Sequence, residues 1–135
     1  ENSSQRAANF HPDLVILGFG MNDRCGMEEY RKKTVRLMEA IRKISPKTEF
    51  LLIASTLPNE LAATEPHHFW AHQDEYSESL KGLEGMGVAI ADIQAVQKEI
   101  GKRKRYIDMT GNWLNHPNDY LARILAQVVI KTLGM

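Results

Sequence analysis

The chain has 135 residues, the size of one domain with one core, and its 43% apolar and 25% charged residues are ordinary for a globular protein. Its 17 basic residues balance 17 acidic ones, which excludes an overall field that would attract nucleic acid or an anionic membrane. The lone cysteine, Cys25, excludes an internal disulfide and a cysteine metal cluster, and no apolar run approaches the roughly 20 residues of a membrane-spanning helix.

The first half of the chain predicts two strands joined by a helix. Residues 1–12 are polar and form a lead-in segment. The continuous apolar run at 14–20 predicts a strand buried on both faces, as in a parallel sheet. Apolar residues three and four apart predict an amphipathic helix at 27–44, and a second buried strand follows at 50–54. A long polar and aromatic connection occupies 59–70.

The second half continues the alternation of strands and helices. A helix is predicted at 72–83, a third short strand at 88–92 and a further helix at 93–100. Residues 106–108 are expected to be a short extended piece, and a closing helix covers 119–133. Such alternation is typical of a right-handed α/β layer sheet. The sequence therefore predicts a single α/β domain.

Polar residues follow the predicted strands of this domain, which spans residues 1–135. Ligands of open α/β sheets bind outside the carboxyl ends of the strands. Three segments deliver polar side chains to that edge: 20–23 after the first strand, 55–56 after the second, and 115–118 before the last helix. We therefore expect a functional site where these segments meet.

The turn Gly20-Met21-Asn22-Asp23 has the composition of an anion-stabilising turn. Gly20 allows a tight turn and close approach to a ligand, and Asn22 offers a neutral NH₂ donor that suits an oxyanion. A turn in which Asn22 or Asp23 only hydrogen-bonds its own backbone would use the same residues.

His116 lies between two asparagines, precedes Pro117 and comes just before the last helix. An imidazole on such a short, rigid turn is suited to act as a general base. The alternative is a histidine that caps or packs against the helix entrance. Asn118 is a plausible N-cap of that helix.

Together the two segments resemble blocks III and V of the SGNH (GDSL-type) serine hydrolases. Gly20-Met21-Asn22-Asp23 follows a buried strand, and Asn115-His116-Pro117-Asn118 opens the last helix about ninety residues later. The flanking residues at 110–119 resemble the acyl and carbohydrate esterases of that family. The resemblance implies a three-layer, flavodoxin-like α/β fold with a parallel sheet and flanking helices.

The resemblance also implies roles for individual residues. In the family, a serine in a Gly-Asp-Ser turn attacks an ester carbonyl and a histidine takes its proton. Asn22 then corresponds to the oxyanion donor and His116 to the general base, while Gly20 shapes the turn and Asp23 braces it. The implied substrates are small esters, among them acetylated carbohydrate, and no cofactor is implied.

One block of the family pattern is absent, because no Gly-Asp-Ser occurs in the chain. The stretch Asn2-Ser3-Ser4-Gln5 resembles the residues just after the second block, so the first two strands and the nucleophile are expected outside these residues. The sheet would then have an open edge, for which self-association or a partner chain is the expected cover. A non-catalytic binding or assembly module on the same fold is the alternative function.

The triad acid is the second departure. The family usually places an aspartate three residues before the histidine, where this chain has Trp113. Asn112, Asp108 and Asp119 lie nearby, but asparagine cannot stabilise an imidazolium by charge. A Ser-His dyad, or a triad with an unidentified orienting group, is therefore expected.

Aromatic and serine side chains near the predicted site are candidates for substrate contact. Trp113 lies three residues from His116, and Trp70 and Phe69 belong to the connection after the second strand, where they would equally serve as core anchors. Ser55 follows the second strand at the right edge. It has no neighbouring glycine elbow, so it is expected to be a turn residue or a substrate contact, not the nucleophile.

The remaining candidates have ordinary explanations. His68 and His72 have the i, i+4 spacing of metal ligands, as part of a group with His67, but no third ligand lies at a recognisable spacing, so no metal site is predicted. Cys25 is expected to be a structural thiol, and the basic run at 102–105 a solvated loop. The compartment stays open, a secreted or periplasmic location included.

Overall fold

A computed structural model describes residues 3–59 and 72–135. Its sheet has three parallel strands in the order β1-β2-β3, which are Leu14–Gly18, Glu49–Ile53 and Val88–Ala91. Each strand is followed by a helix before the next strand begins. This arrangement confirms the predicted α/β fold with a parallel sheet and flanking helices.

Helices alternate with these strands and close the described chain. The α-helices are α1 (Ser3–Ala8), α2 (Met27–Arg42), α3 (Tyr76–Lys81), α4 (Ile93–Gly101) and α5 (Asp119–Thr132). Short 3₁₀-helices occur at Gln73–Glu75 and Tyr106–Asp108. No described helix is long and apolar enough to cross a membrane.

Three segments differ from their predictions. The helix predicted at 72–83 is the 3₁₀-helix Gln73–Glu75 followed by the shorter α3 (Tyr76–Lys81). The lead-in contains α1, whose Ala8 is completely buried in the core, so packing adds order to a segment that looks merely polar in sequence. The piece expected to be extended is the 3₁₀-helix Tyr106–Asp108. Its turns are closed by hydrogen bonds from the Asp108 amide to the Arg105 carbonyl (3.0 Å) and from the Met109 amide to the Tyr106 carbonyl (2.9 Å).

The core lies around β2, the central strand of the described sheet. Phe50, Leu51 and Leu52 are at most 1% exposed, as the continuous apolar run predicts. The cluster on one side of β2 joins residues of β1, α2 and α3, namely Leu17, Tyr30, Met38, Ile41, Tyr76 and Leu80. It therefore fixes the positions at which β1 and β2 end.

Strand β1 is not buried on both faces, so that prediction is wrong. Leu17 is 7% exposed, but Leu14 is 39% and Ile16 51% exposed. Alternate side chains of a strand point to opposite faces, and β1 is the outer strand of the described sheet. Only the face with Leu17 is therefore covered by the described core.

The start of α4 provides a pH-dependent element of stability. The Asp92 carboxylate accepts a hydrogen bond from the Ala95 amide (3.0 Å) and another from the Ser77 hydroxyl, and Lys81 Nζ lies 3.5 Å away. Burial alone would raise the pKa of Asp92, but these hydrogen bonds and the lysine outweigh it and lower the pKa below its ordinary value of 3.8.

We expect Asp92→Ala to lower the free energy of unfolding by about 1–2 kcal/mol at neutral pH, because a helix N-cap is lost. A carboxyl whose pKa is lower in the folded state stabilises it above the unfolded pKa and loses that effect as the pH falls through the folded pKa. We therefore expect urea unfolding at about pH 7 and pH 3.5 to show that the difference in the free energy of unfolding between wild type and variant is smaller at the lower pH. Asp92→Asn keeps a cap without a titrating group and is the control; an equal gap at both pH values would contradict the prediction.

Candidate active site

A groove lies at the carboxyl ends of β1 and β2, at the edge where the sequence predicts a ligand. It encloses about 510 Å³ and is open to solvent. One wall is the segment from Gly18 to Asp23, and the floor is the segment from Ile53 to Thr56. Ile93 of α4, Pro117 and Leu125 of α5 complete the lining.

The wall of the groove is the predicted glycine turn. The Asp23 amide donates to the Gly20 carbonyl at 3.2 Å, which closes a four-residue turn. Gly20 has a φ of +113°, and a Cβ built on it would lie 2.8 Å from Tyr76 Cδ2 and 3.2 Å from Tyr30 Cε2. Position 20 therefore requires glycine for both conformation and space.

Two stacked tyrosines support this turn from below. The rings of Tyr30 and Tyr76 are parallel within 9° and 3.9 Å apart. Their hydroxyls donate to the carbonyls of Phe19 (3.0 Å) and Cys25 (2.7 Å), on either side of the turn. Burial raises the pKa of both tyrosines, so both remain neutral donors. Cys25 is itself buried against Tyr76, in agreement with a structural thiol.

Two buried glutamines hold the turn to the floor of the groove. Gln73 Nε2 donates to the carbonyls of Gly20 (3.0 Å) and Met21. Gln94 Nε2 in turn donates to the carbonyls of Gln73 and Ser55, the latter at 2.8 Å. Neither glutamine was predicted from the sequence to belong to the site. The one hint in the sequence is that Gln94 follows the apolar Ile93 in the first turn of α4, where the structure buries both residues.

Asn22 lies in the wall of the groove with its side chain exposed. Among the described residues it makes no side-chain hydrogen bond, so the alternative in which it bonds its own turn is not observed. Asp23 closes the turn with its backbone amide, and its carboxylate bonds no described residue. The bracing expected of Asp23 therefore comes from its main chain.

His116 lies on a closed loop beside the groove. The Gly111 amide and the Thr110 hydroxyl both donate to the His116 carbonyl at 2.8 Å, and Thr110 pairs with Pro117. The imidazole is exposed and has no hydrogen bond to a described residue. Asn118 caps α5 by accepting from the Leu121 amide (3.1 Å), as predicted, so His116 is not the helix cap.

The loop is fastened to the segment that follows β2. The Asn59 amide donates to the Leu114 carbonyl (2.7 Å), and Asn59 Nδ2 donates to the Trp113 carbonyl (2.8 Å). The Tyr106 hydroxyl bridges the carbonyls of Leu114 and Leu57 at 2.9 and 2.8 Å. Burial raises the pKa of Tyr106 to about 12, so this hydroxyl stays protonated. These hydrogen bonds thus connect the loop that carries His116 to the segment that follows β2.

None of the three nearby residues considered for the triad acid bonds the imidazole. Asn112 uses its side-chain oxygen for backbone amides of the loop. The carboxylate of Asp108 binds Arg105 through two hydrogen bonds of 3.1 and 3.2 Å, and this cation lowers its pKa. Asp119 is exposed in the first turn of α5. The Ser-His dyad and the triad with an unidentified orienting group both stay predictions.

The candidate substrate contacts fall in different places. Ser55 is 8% exposed and lines the groove, and its buried hydroxyl has no hydrogen-bond partner among the described residues. Trp113, three residues before His116 on the same loop, is 64% exposed and adopts a left-handed φ of +63°. Trp70 and Phe69 lie outside the described residues.

The structure describes the whole basic run but only His72 of the histidine group. His67 and His68 lie outside the described residues, and His72 Nδ1 is 3.4 Å from a Glu75 carboxylate oxygen. In the described part of the chain no cluster of three or more ligand-type side chains could hold a metal. In the basic run, Lys102 pairs with Glu99 and Lys104 lies over the Tyr120 ring (4.6 Å).

Comparison with known proteins identifies the fold. No family model matches the chain, and no curated protein does. Among solved structures, the chain is similar to a GDSL-like lipase from Parabacteroides merdae, with a TM-score of 0.77 and 18% identity over 98% of this chain and 69% of that one. It is also similar to a mutant of an acetyl-xylooligosaccharide esterase from Geobacillus, with a TM-score of 0.72 and 18% identity over 99% of this chain and 68% of that one.

A third similar structure is a carbohydrate esterase of family 3 from Talaromyces cellulolyticus. Its TM-score is 0.71 at 17% identity, over 96% of this chain and 61% of that one. The chain thus spans 61–69% of the length of these three proteins. The fold of this chain is that of the GDSL-type (SGNH) hydrolases.

Proposed function

We propose that this chain carries the oxyanion donor and the general base of an SGNH-type serine esterase that acts on small esters, such as acetyl groups on carbohydrate. The observation that carries the proposal is Asn22, whose amide is unengaged among the described residues and faces the groove at the strand ends. The fold of the chain and the names of two similar structures, which are carbohydrate esterases, support the same class of reaction.

The proposed chemistry begins with a serine that lies outside residues 1–135. Its oxygen forms a bond to the ester carbonyl carbon while its proton passes to His116. The Asn22 NH₂ group donates to the developing oxyanion. The intermediate then breaks its bond to the alcohol, which leaves with the proton from His116. Water releases the acyl group by the same route and regenerates the serine.

The groove supports a small, polar substrate. It is open, and the Ser55 hydroxyl in its lining is buried and bonds no described residue, so turning this side chain toward a ligand oxygen would break no described hydrogen bond. The exposed ring of Trp113, three residues before His116, offers an apolar face of the kind that sugars pack against. These two contacts are the basis for proposing a carbohydrate leaving group.

A fluorophosphonate probe tests the proposal, because it phosphonylates an activated serine. In a parent protein that includes residues before Glu1, we expect mass spectrometry to find the label on one serine outside residues 1–135. Ser55→Ala should label equally well. An unlabelled parent protein would overturn the proposal in favour of the binding module, and a label on Ser55 would show that the nucleophile lies inside the chain.

A further inference from the structure

We infer that Asn112 is the positioning residue of His116 and that it acts on the main chain of the histidine instead of on its ring. In a complete triad, a carboxylate orients the imidazole directly. Here no described carboxylate does so. The catalytic consequence of this inference rests on the proposed function, whereas its structural part does not.

The side-chain oxygen of Asn112 gathers three consecutive amides. It accepts hydrogen bonds from Leu114 (3.0 Å), Asn115 (3.0 Å) and His116 (2.9 Å). The opposite amide orientation would set an NH₂ group against three N–H donors, so the hydrogen bonds themselves fix which atom is oxygen. One side chain thus determines the course of the backbone up to the Cα of His116.

These hydrogen bonds hold an unfavourable backbone conformation in place. Trp113, the residue directly after Asn112, has a φ of +63°, which a bulky residue seldom adopts. Asn59 binds the carbonyl of Trp113, and Asn112 binds the backbone amide of Leu114, the next residue. Without the Asn112 oxygen, the strain at Trp113 would be free to relax and move His116.

The same hydrogen bonds set the distance of the loop from the groove. Asn115 is 4% exposed, and its carbonyl accepts from the Thr56 hydroxyl at 2.8 Å. Thr56 lines the groove. Asn112 therefore connects His116, through Asn115, to the floor on which a substrate would lie. Because the exposed imidazole has no hydrogen bond to a described residue, its position depends on this main-chain support.

Amide hydrogen exchange in the 135-residue chain tests the structural part. Asn112→Leu removes the acceptor at similar size, and we expect exchange at Leu114, Asn115 and His116 to accelerate about tenfold or more. Asn112→Asp keeps the acceptor, so its exchange should stay within about threefold of wild type. Thr48→Val is the matched control, because it loses one buried hydroxyl bond (2.8 Å, to the Pro12 carbonyl) at the far end of the sheet.

Unchanged exchange in Asn112→Leu would overturn the inference. If that variant does not fold, Asn112→Ser replaces it, since the shorter side chain cannot reach all three amides. In the parent esterase, loss of positioning should lower kcat about tenfold with little change in KM, and Asn112→Asp should restore it. Full activity in Asn112→Leu, alongside an inactive His116→Ala, would reject this inference and leave the proposed function intact. Faster exchange in a parent protein without esterase activity would uphold the structural part and reject the proposed function.

Discussion

His116→Ala is expected to lower kcat/KM of the parent esterase for p-nitrophenyl acetate by about 10³-fold. General-base catalysis contributes on the order of 10²–10⁴-fold, and no neighbouring described group is placed to take over the proton. The fold should not change, because the imidazole is exposed and bonds no described residue. Initial rates together with thermal unfolding of the variant separate catalysis from stability.

His11→Asn is the control for this experiment. His11 is also an exposed histidine, but it precedes β1 at the end of the sheet opposite the groove. Its φ of +47° is one that asparagine tolerates, so the substitution removes an imidazole without adding strain. Its kcat/KM should equal that of wild type. A loss of less than about threefold in His116→Ala would rule out His116 as the general base.

Gly20→Ala is expected to destabilise the chain by about 3 kcal/mol. A backbone conformation that only glycine adopts readily costs about 1–3 kcal/mol for another residue, and overpacking costs about as much again. The new methyl group would lie 2.8 Å from the ring of Tyr76, which is stacked on Tyr30 and held by a hydrogen bond to Cys25. The ring therefore cannot yield without disturbing its neighbours. Urea unfolding measures the change.

Gly101→Ala is the matched control for the glycine substitution. A Cβ at Gly101 would meet no described atom within 4 Å, and the residue ends α4 with no positive φ. Alanine has the higher helix propensity, so this variant should be unchanged or up to about 1 kcal/mol more stable. Equal effects at positions 20 and 101 would show that the turn does not depend on glycine.

The fold was largely predictable because its signals are local. The apolar runs that became β1, β2 and β3 each stand between turn residues, and Asn118 marks the start of α5 as a side-chain cap. The burial of β1 was not predictable in the same way. Whether Leu14 and Ile16 are covered depends on what lies beside the strand, and the hydrophobic pattern does not contain that information.

The candidate site was predictable only where neighbouring residues in one short segment together suggest a chemical role. Gly20 and Asn22 could be chosen from a four-residue turn, and the structure places both in the groove wall. The support from Gln73 comes from 53 residues further along the chain, so no local pattern reveals it. The role of Asn112 was equally hidden, because in sequence it suggests a weak replacement for the acid and in the structure it bonds amides.

The stacked tyrosines beneath the glycine turn also give this region a spectroscopic signal. Two parallel phenol rings at 3.9 Å are close enough for their electronic transitions to couple, which adds a signal to the near-ultraviolet circular dichroism. Because both rings touch the position that a Cβ on Gly20 would occupy, any movement of the turn alters their overlap. The wall of the groove thus contains its own optical reporter, readable without substrate and without a label.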